Sequence, residues 1–256
     1  MSQQGADPTT RFTDRVEDYI RSRPGYPLAV LDALRSELDL RPEHTVADVG
    51  SGTGLLARVF LDHGHRVIGV EPNPAMAAAA EAWLGPSGLF RSVRARAEAT
   101  GLAAGSVDLV AAGQAFHWFS VPEARAEFRR ILRPGGGVAL VWNLRRLDST
   151  PFLRDYEALV RRWSTDYAEV SERYAEEKSL RAFFSGPWRE HRFDNTQAFD
   201  LEGLRRRLLS SSYTPREGDP RRDAMLADLP RLFSAHARQG RVAFDYDTRL
   251  FVGRLS

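Results

Sequence analysis

The stretch Val46-Ala-Asp-Val-Gly-Ser-Gly-Thr-Gly-Leu55 decides the fold. It begins as a short apolar strand, passes through three alternating glycines and continues into a segment typical of a helix. Glycine tolerates a positive φ and has no Cβ, so Gly50, Gly52 and Gly54 allow the backbone to approach a small molecule closely. The start of the helix adds N–H groups that lack partners within the helix. The stretch therefore predicts a ligand-binding loop between a strand and a helix.

An acidic residue follows this loop at a distance typical of nucleoside binding. The sequence His65-Arg-Val-Ile-Gly-Val70 is typical of a second buried strand and is followed by Glu71. A carboxylate at the end of the second strand, about 20 residues after the first glycine, can accept hydrogen bonds from ribose hydroxyls. Asp48 is a second carboxylate beside the loop and would repel a diphosphate. We therefore expect a ligand with a ribose and a cationic group.

The glycine spacing also bears on an NAD-type oxidoreductase, the first alternative. The dinucleotide fingerprint G-x-G-x-x-G requires its third glycine at position 55, where this chain has Leu55. An NAD-binding protein is therefore disfavoured but stays open.

The first part of the chain alternates strands and helices, and such alternation predicts a parallel sheet that is covered on both faces. Gly64 is a candidate C-cap, Ser120-Val-Pro-Glu123 a candidate capping box, and Pro134-Gly-Gly-Gly137 a turn. The predicted strands are 45–49, 66–70, 89–95, 107–112 and 137–142, with helices at 54–63, 74–83 and 121–132.

The pattern changes after residue 143. The run 242–252 alternates apolar and polar residues, which favours an antiparallel strand. The other predicted elements are helices at 151–164, 168–184, 200–210 and 220–238 and a strand at 187–198.

Four segments together resemble a known family. VADVGSGTG at 46–54, VIGVEPNPAM at 67–76, SVDLVAAGQAFHWF at 106–119 and ILRPGGGVALVWN at 131–143 resemble, in order and spacing, the motifs of class I S-adenosylmethionine-dependent methyltransferases. The motif QAFHW, together with Tyr19, Arg23-Pro-Gly-Tyr-Pro27 and Ser210-Ser-Ser-Tyr-Thr-Pro215, is similar to the small-molecule branch that includes trans-aconitate-methyltransferase-like (type 11) proteins.

The resemblance implies an α/β, Rossmann-like fold. Its seven-stranded, mostly parallel sheet would carry helices on both faces and a helical cap, and its last strand would be antiparallel. We expect residues 1–40 to form a helical arm that belongs to the cap, 41–145 the cofactor-binding core, and 146–256 further cap helices and the final strands. The three parts would form a single compact unit.

The resemblance also implies that the cofactor is S-adenosyl-L-methionine (SAM) and the product S-adenosyl-L-homocysteine (SAH). Asp48 and the loop Gly50–Gly54 would hold the methionine end, Glu71 the ribose, and Pro72 and Met76 the adenine. Met76 fits ordinary helix packing equally well. The predicted cofactor residues are Arg23, Asp48, Gly50, Ser51, Gly52, Gly54, Glu71, Pro72, Met76, Ala97, Glu98 and Gln114.

The segment expected at the adenine departs from the family pattern. The pair Ala97-Glu98 resembles the usual one, and the Ala97 N–H is placed to bond the ring. Many relatives have an aspartate just before this alanine to accept from the exocyclic amine. Arg96 stands there instead and cannot accept. Either Glu98 or a backbone carbonyl takes that role, or binding is weaker.

The residues after the fourth strand include the candidate catalytic group. His117 lies within Gly113-Gln-Ala-Phe-His-Trp-Phe119, at the carboxyl end of a strand, where α/β sheets bind ligands. With an ordinary pKa near 6.5, its side chain can take a proton from a hydroxyl or amine. Phe116 and Trp118 offer π-faces to a sulfonium cation. The alternative is that His117 and these rings only pack the strand against the next helix.

Substrate contacts are predicted from both ends of the chain. Arg23 suits a carboxylate, either of the cofactor or of an acidic substrate, and a surface ion pair is the alternative. The candidate substrate residues are Tyr19, Tyr26, Phe116, Trp118, Trp142, Asn143, Ser211 and Tyr213.

Composition narrows the function classes. The chain has no cysteine, which excludes disulfides, thiolate metal sites and cysteine nucleophiles. Its formal net charge is +2, so we expect no nucleic-acid partner, and its one basic run, Arg205-Arg-Arg207, is predicted to be a solvated helix face. No apolar run approaches a membrane span. We expect a cytoplasmic bacterial enzyme, monomeric or homodimeric, with no metal.

The function expected from these observations is methyl transfer to an oxygen or nitrogen of a small organic molecule. Such a transfer is a direct displacement, so that positioning can supply much of the rate, up to roughly 7–11 kcal/mol. Besides the oxidoreductase, a methyltransferase of nucleic acid or protein and a non-catalytic SAM-binding protein stay open. The macromolecular alternative is disfavoured by the near-neutral charge and by the lack of an Asn/Asp-Pro-Pro-aromatic motif after the fourth strand.

Overall fold

The computed structural model describes residues 22–164, 177–211 and 213–255. Seven strands form one sheet in the order β3-β2-β1-β4-β5-β7-β6. Strands β1 to β5 pair in parallel, whereas β7 runs antiparallel to both of its neighbours, as expected. The strands are β1 (Thr45–Val49), β2 (Arg66–Val70), β3 (Phe90–Val93), β4 (Val107–Gly113), β5 (Leu132–Arg145), β6 (Trp188–Phe199) and β7 (Val242–Gly253).

The helices of the described residues agree with the sequence pattern to within a few residues. The one predicted for 168–184 is described only from Glu177 onward, because residues 165–176 lie outside the described residues. The helices are α1 (Ala29–Leu38), α2 (Leu55–Leu61), α3 (Pro74–Leu84), α4 (Val121–Ile131), α5 (Pro151–Trp163), α6 (Glu177–Phe184), α7 (Leu201–Leu209) and α8 (Pro220–His236).

Helices cover both faces of the sheet. On one face, α1, α2 and α3 bury apolar side chains such as Leu31, Phe60 and Leu84 against the strands. On the other face, α4 and α6 bury side chains that include Phe128 and Phe183. Burial of an apolar side chain of this size contributes about 1.5–3 kcal/mol, so the two clusters hold the strand ends in fixed positions.

A third apolar cluster lies beyond the strand ends. Helices α5, α7 and α8 pack there on the ends of β6 and β7, with Phe244 and Tyr246 of β7 at the centre. Helix α1, which belongs to the expected N-terminal arm, packs on the sheet face and not in this cluster. The described part of the cap is therefore α5, α7 and α8, and the division into arm, core and cap stays a prediction.

The predicted turn at Pro134–Gly137 occurs as a break in strand register. Leu132 of β5 pairs with Val107, and the next paired residue, Gly137, is opposite Leu109. The intervening residues loop out, with Gly135 at φ +82°. The regular part of β5 then runs beside β4 toward the same edge of the sheet.

No helix within residues 22–164, 177–211 and 213–255 is both long enough and apolar enough to cross a bilayer.

Candidate functional site

The glycine loop between β1 and α2 adopts a backbone that only glycine accommodates easily. Gly50, Gly52 and Gly54 have φ angles of +68°, +55° and +85°. A Cβ on Gly50 would lie 2.5 Å from the Ala115 Cβ, and one on Gly54 would lie 2.3 Å from the Leu84 Cδ1. Gly50 and Gly54 therefore allow close packing, whereas a Cβ added to Gly52 would have the Met76 Sδ as its nearest neighbour, 3.8 Å away, and would meet no clash.

The Glu71 carboxylate holds this loop to the end of β2. Its Oε2 accepts the Gly52 N–H at 2.8 Å, and its Oε1 accepts the Asn73 N–H at 2.8 Å. Burial raises the pKa of Glu71, and the two backbone hydrogen bonds oppose that shift. Because each carboxylate oxygen has two lone pairs, Glu71 can still accept from a ligand hydroxyl.

Asp48 is buried beneath the loop, at 1% exposure. Its Oδ2 accepts the Ala57 N–H at 3.0 Å, and its Oδ1 has no hydrogen-bond partner. Burial raises the Asp48 pKa to about 7, and the charge of Glu71 adds to the shift. A buried carboxylate with a vacant acceptor favours a cationic or hydrogen-bond-donating ligand nearby.

A cleft with a volume of about 120 Å³, open to solvent, lies at the carboxyl ends of β1, β2, β3 and β4. The predicted residues that line it are Gly50, Gly52, Glu71, Pro72, Met76, Ala97, Glu98, Gln114 and Trp118. It is also lined by Arg96, Gly113, Ala115 and Phe119. Of the other predicted cofactor residues, Arg23, Asp48, Ser51 and Gly54 are not among its lining. Gly113, Ala115 and Phe119 were not predicted from the sequence. Each of them is adjacent in sequence to a predicted lining residue, Gln114 or Trp118, and this adjacency was the signal that could have identified them.

Gln114 links the cleft to β5. It has a φ of +56°, unusual for a residue other than glycine, and its N–H donates to the Val141 carbonyl at 2.9 Å. Its side-chain Nε2 donates to the Asn143 carbonyl at 3.0 Å. Such a conformation costs of order 1–3 kcal/mol and clusters at functional sites. The strained turn places Gln114 between the cleft and the neighbouring strand end.

Arg96 is exposed at the rim of the cleft. Glu98 lines the cleft and also binds the start of helix α4. Glu98 Oε1 accepts the N–H of Ser120, the N-cap of α4, at 2.9 Å. The predicted capping box is thereby altered, because the Ser120 hydroxyl contacts the Glu123 carboxylate instead of capping a backbone N–H. Glu98 keeps a second oxygen to accept from an adenine amine.

A single turn of 3-10 helix, Phe116–Trp118, follows the cleft segment. Trp118 lines the cleft. His117 is half-buried beside Trp118, and the centroids of the two rings are 4.9 Å apart. Phe116 points into the core, where its ring packs edge-on against Phe183 at 4.9 Å. The expectation that Phe116 faces the ligand is therefore corrected, because its ring is surrounded by aromatic core residues.

Neighbouring residues of β5 face opposite sides of the sheet. Trp142 is 2% exposed and packs edge-on against Phe116 and Phe251, so the expectation of a substrate contact is corrected for it too. Asn143 points the other way and donates through Nδ2 to the Gly25 carbonyl at 3.1 Å. Alternation along the strand explains both orientations. Asn143 thus holds the segment around Gly25 against the strand end.

The arm segment before α1 lies over the strand ends. Tyr26 places its hydroxyl against Gly113, where an added Cβ would be 2.5 Å away. Arg23 donates through Nη2 to the Ser210 carbonyl of the cap at 2.8 Å, and its own carbonyl accepts from Gln197 at 3.1 Å. Tyr19 lies outside the described residues. The segment therefore joins the cleft to the cap.

Ser211 and Tyr213, the predicted cap residues, lie just after α7. Ser211 is buried and accepts a hydrogen bond from Arg207 at 3.0 Å, while Tyr213 is half-buried near the same guanidinium. Their roles toward a substrate stay predictions.

Comparison with known proteins points to one family. A family model described as a methyltransferase domain matches residues 47–140, the segment that holds the cleft. An uncharacterized methyltransferase of Schizosaccharomyces pombe is 29% identical over 89% of this chain and 88% of its own. An uncharacterized methyltransferase of Mycobacterium tuberculosis is 37% identical over 54% of each chain.

A solved structure extends the likeness to the fold. A type II methyltransferase structure from Anaeromyxobacter dehalogenans is 26% identical and superposes with a TM-score of 0.69, covering 91% of this chain and 97% of its own. The segment that matches the family model, the strand order of the sheet and the position of the cleft all indicate the same kind of protein. This chain is an S-adenosylmethionine-dependent methyltransferase with the class I fold, and its residues 47–140 match the type 11 methyltransferase-domain family.

Proposed function

We propose that this enzyme transfers the methyl group of SAM to an oxygen or nitrogen atom of a small organic molecule. The observation that supports a small acceptor is the cap, which covers the side of the strand ends next to the cofactor cleft. A covered site limits the size of an acceptor and excludes water from it. The near-neutral charge of the chain gives no support to a nucleic-acid substrate.

The residues of the cleft fit a cationic nucleoside. SAM supplies an electrophilic methyl group on a sulfonium, and the protein has to bind and orient it. In this proposal Glu71 accepts from the ribose hydroxyls, and the Gly50–Gly54 backbone and Asp48 hold the charged methionine end. Met76 and Ala97 contact the adenine. The vacant Asp48 Oδ1 and the glycine cradle, which a Cβ would fill, support these roles.

Orientation is the main task left to the protein. Since SAM already carries an activated leaving group, holding the acceptor atom in line with the methyl carbon and the sulfur accounts for much of the expected acceleration. Trp118 and Phe119 line the cleft, and in this proposal their rings would exclude water from the reacting methyl group. His117 is the candidate base for an acceptor that must lose a proton.

The proposed function can be tested by binding and by product analysis. We expect calorimetry to show micromolar binding of SAH and no binding of NAD. Incubation with SAM and pooled small metabolites should yield products heavier by one methylene unit, whereas bulk RNA and denatured protein should remain unmodified. Micromolar NAD binding, or methylation of RNA or protein alone, would contradict the proposal.

The affinity for SAM is expected to rise with pH between about 6 and 8. In the empty cleft the Asp48 pKa is about 7, so a large share of Asp48 is protonated at neutral pH. A cationic ligand favours the carboxylate, and binding therefore releases a proton. The gain is at most about tenfold per pH unit below the pKa and levels off above it. Calorimetry at pH 6, 7 and 8, in buffers of different ionisation enthalpy, measures both the affinity and the proton release.

The control for this prediction is Asp48→Asn, which should bind SAM with little pH dependence over the same range. The raised pKa of Asp48 makes the stability of the ligand-free protein change with pH in the opposite direction to the affinity for SAM. Since folding raises the pKa of Asp48, its stabilising contribution is complete below about pH 4 and is lost as pH rises through 7. An identical pH slope in Asp48→Asn would show that another group is responsible.

A further inference from the structure

A charged side chain is buried in the cap. Arg207 of α7 is 4% exposed, although Arg205 on the same helix is largely solvated beside Glu202. The prediction of a solvated face for the run Arg205–Arg207 is therefore correct for Arg205 and wrong for Arg207. Arg207 lies one helical turn from the buried Leu204, and so it faces inward.

The contacts of Arg207 are all with neutral groups. Its Nε donates to the Tyr246 hydroxyl at 3.3 Å, and its Nη1 donates to the Ser211 hydroxyl at 3.0 Å. The guanidinium lies 5.7 Å from the centroid of the Phe244 ring. Among the described residues, no carboxylate is within ion-pair distance of Arg207. Arginine stays protonated in proteins, so this cation is buried without a counter-ion, an arrangement that is costly in the absence of a ligand.

A second polar group beside Arg207 has no partner. Tyr156 of α5 is fully buried, and its hydroxyl makes no hydrogen bond within the described residues. Burial raises the pKa of Tyr156, so the hydroxyl remains a hydrogen-bond donor at neutral pH. The Arg145 guanidinium lies 5.1 Å from the centroid of the Tyr156 ring and forms an ion pair with Glu157, which also pairs with the exposed Arg161. Of Arg145 and Arg207, it is therefore Arg207 that has no carboxylate in ion-pair contact within the described part of the chain.

The cluster adjoins the place expected for the methyl acceptor. Arg145 follows Asn143 by two residues on β5 and lies on the same side of the strand, and the Asn143 carbonyl accepts from Gln114 of the cofactor cleft. Tyr246 of β7 is paired with Arg145 in the sheet. Its hydroxyl also contacts Gln197 at 3.3 Å. This series of contacts links Arg207, through Tyr246 and Arg145, to the carboxyl ends of β4 and β5.

We propose that Arg207, with the hydroxyls of Ser211, Tyr246 and Tyr156, binds a carboxylate group of the methyl acceptor, so that the substrate is an acidic small molecule held beneath the cap. This inference rests on the proposed function. A guanidinium and neighbouring hydroxyls offer several donors to a planar carboxylate. One uncompensated cation matches its single negative charge better than the nearly double charge of a phosphate monoester. The ligand supplies the counter-ion that the protein lacks.

The test uses the full chain saturated with SAH, and the readout is the melting temperature (Tm). We expect at least one member of a panel of small mono- and dicarboxylates to raise the Tm, whereas its primary amide and a panel of phosphate monoesters do not. Arg207→Met should abolish this response, with SAH affinity unchanged within twofold. Arg205→Met is the matched control on the exposed side of α7 and should respond like the wild type.

A second variant keeps the test independent of the folding of Arg207→Met. Ser211→Asp places a carboxylate beside Arg207, so we expect it to raise the Tm of the ligand-free protein and to remove the response to added carboxylates. The inference is overturned by a wild type that responds to no carboxylate, by equal responses to amides or phosphates, or by an Arg207→Met response equal to that of the wild type. Failure of the wild type to bind SAH counts against the proposed function instead.

Discussion

Gly50→Ala is expected to abolish measurable SAM binding and to destabilise the fold. Position 50 has φ +68°, and an added Cβ would lie 2.5 Å from the Ala115 Cβ, closer than two non-bonded carbon atoms can approach. Left-handed strain and overpacking together cost about 2–4 kcal/mol. The loop or the cleft segment has to move, and both of them line the cofactor cleft. We expect at least about a hundredfold loss of SAH affinity, measured by calorimetry, together with a lower free energy of unfolding.

Gly64→Ala is the matched control. Gly64 also has a positive φ, at +84°, but no atom lies within 4 Å of the position of an added Cβ. The substitution therefore adds backbone strain of about 1–2 kcal/mol without a clash, and it is remote from the cleft. SAH affinity should stay within twofold of the wild type. If Gly50→Ala bound SAH as well as Gly64→Ala does, the steric account of the glycine loop would be wrong.

The cofactor cleft was largely predictable from the sequence because its determinants are local. The glycines, the apolar strands that flank them and Glu71 lie within one β-α-β unit, where spacing along the chain fixes spacing in three dimensions. The parallel order of the core strands follows from the helices between them. The strained turn at Gln114 could not be predicted from the sequence, because it depends on contacts with β5.

The acceptor side was less predictable because its residues meet through tertiary contacts. Trp142 and Asn143 are adjacent in sequence, and only the packing of β5 decides that one enters the core while the other holds the arm. The orientation of Arg207 is likewise decided by packing, in this case the packing of helix α7. Its spacing from Leu204 was a usable signal, but the charge of the run favoured a solvated face.

The arm and the cap are joined in a way that bears on catalysis. Asn195 of β6 donates to the Gly25 carbonyl at 2.8 Å, and Asn143 donates to the same carbonyl. Arg23 reaches across to the cap at Ser210. Because these hydrogen bonds link the arm to two strands and the cap, a substrate bound beneath the cap would meet a surface whose parts are held in register. Positioning of the acceptor can therefore come from several elements at once.

His117→Ala is expected to reduce kcat about a hundredfold or more if the acceptor is a hydroxyl or an amine. General-base catalysis contributes roughly 10²–10⁴ in rate, and His117 stands beside Trp118, which lines the cleft. Since His117 does not itself line the cofactor cleft, SAH affinity should be almost unchanged. His117→Gln, which retains hydrogen bonding but is not a base, should be nearly as slow. His63→Ala, at the far end of α2, should leave turnover unaffected.

The outcome differs if the methylated atom belongs to a carboxylate. A carboxylate is already ionised at neutral pH and needs no base, so that His117→Ala would act only through packing. Arg23→Ala would then be the damaging change, because Arg23 joins the arm to the cap and is the residue that we expect to orient an acidic substrate. Steady-state kinetics of both variants therefore discriminate between the acceptor classes. Full activity in both would show that neither residue has the proposed role, and that positioning by the remaining contacts suffices for the reaction.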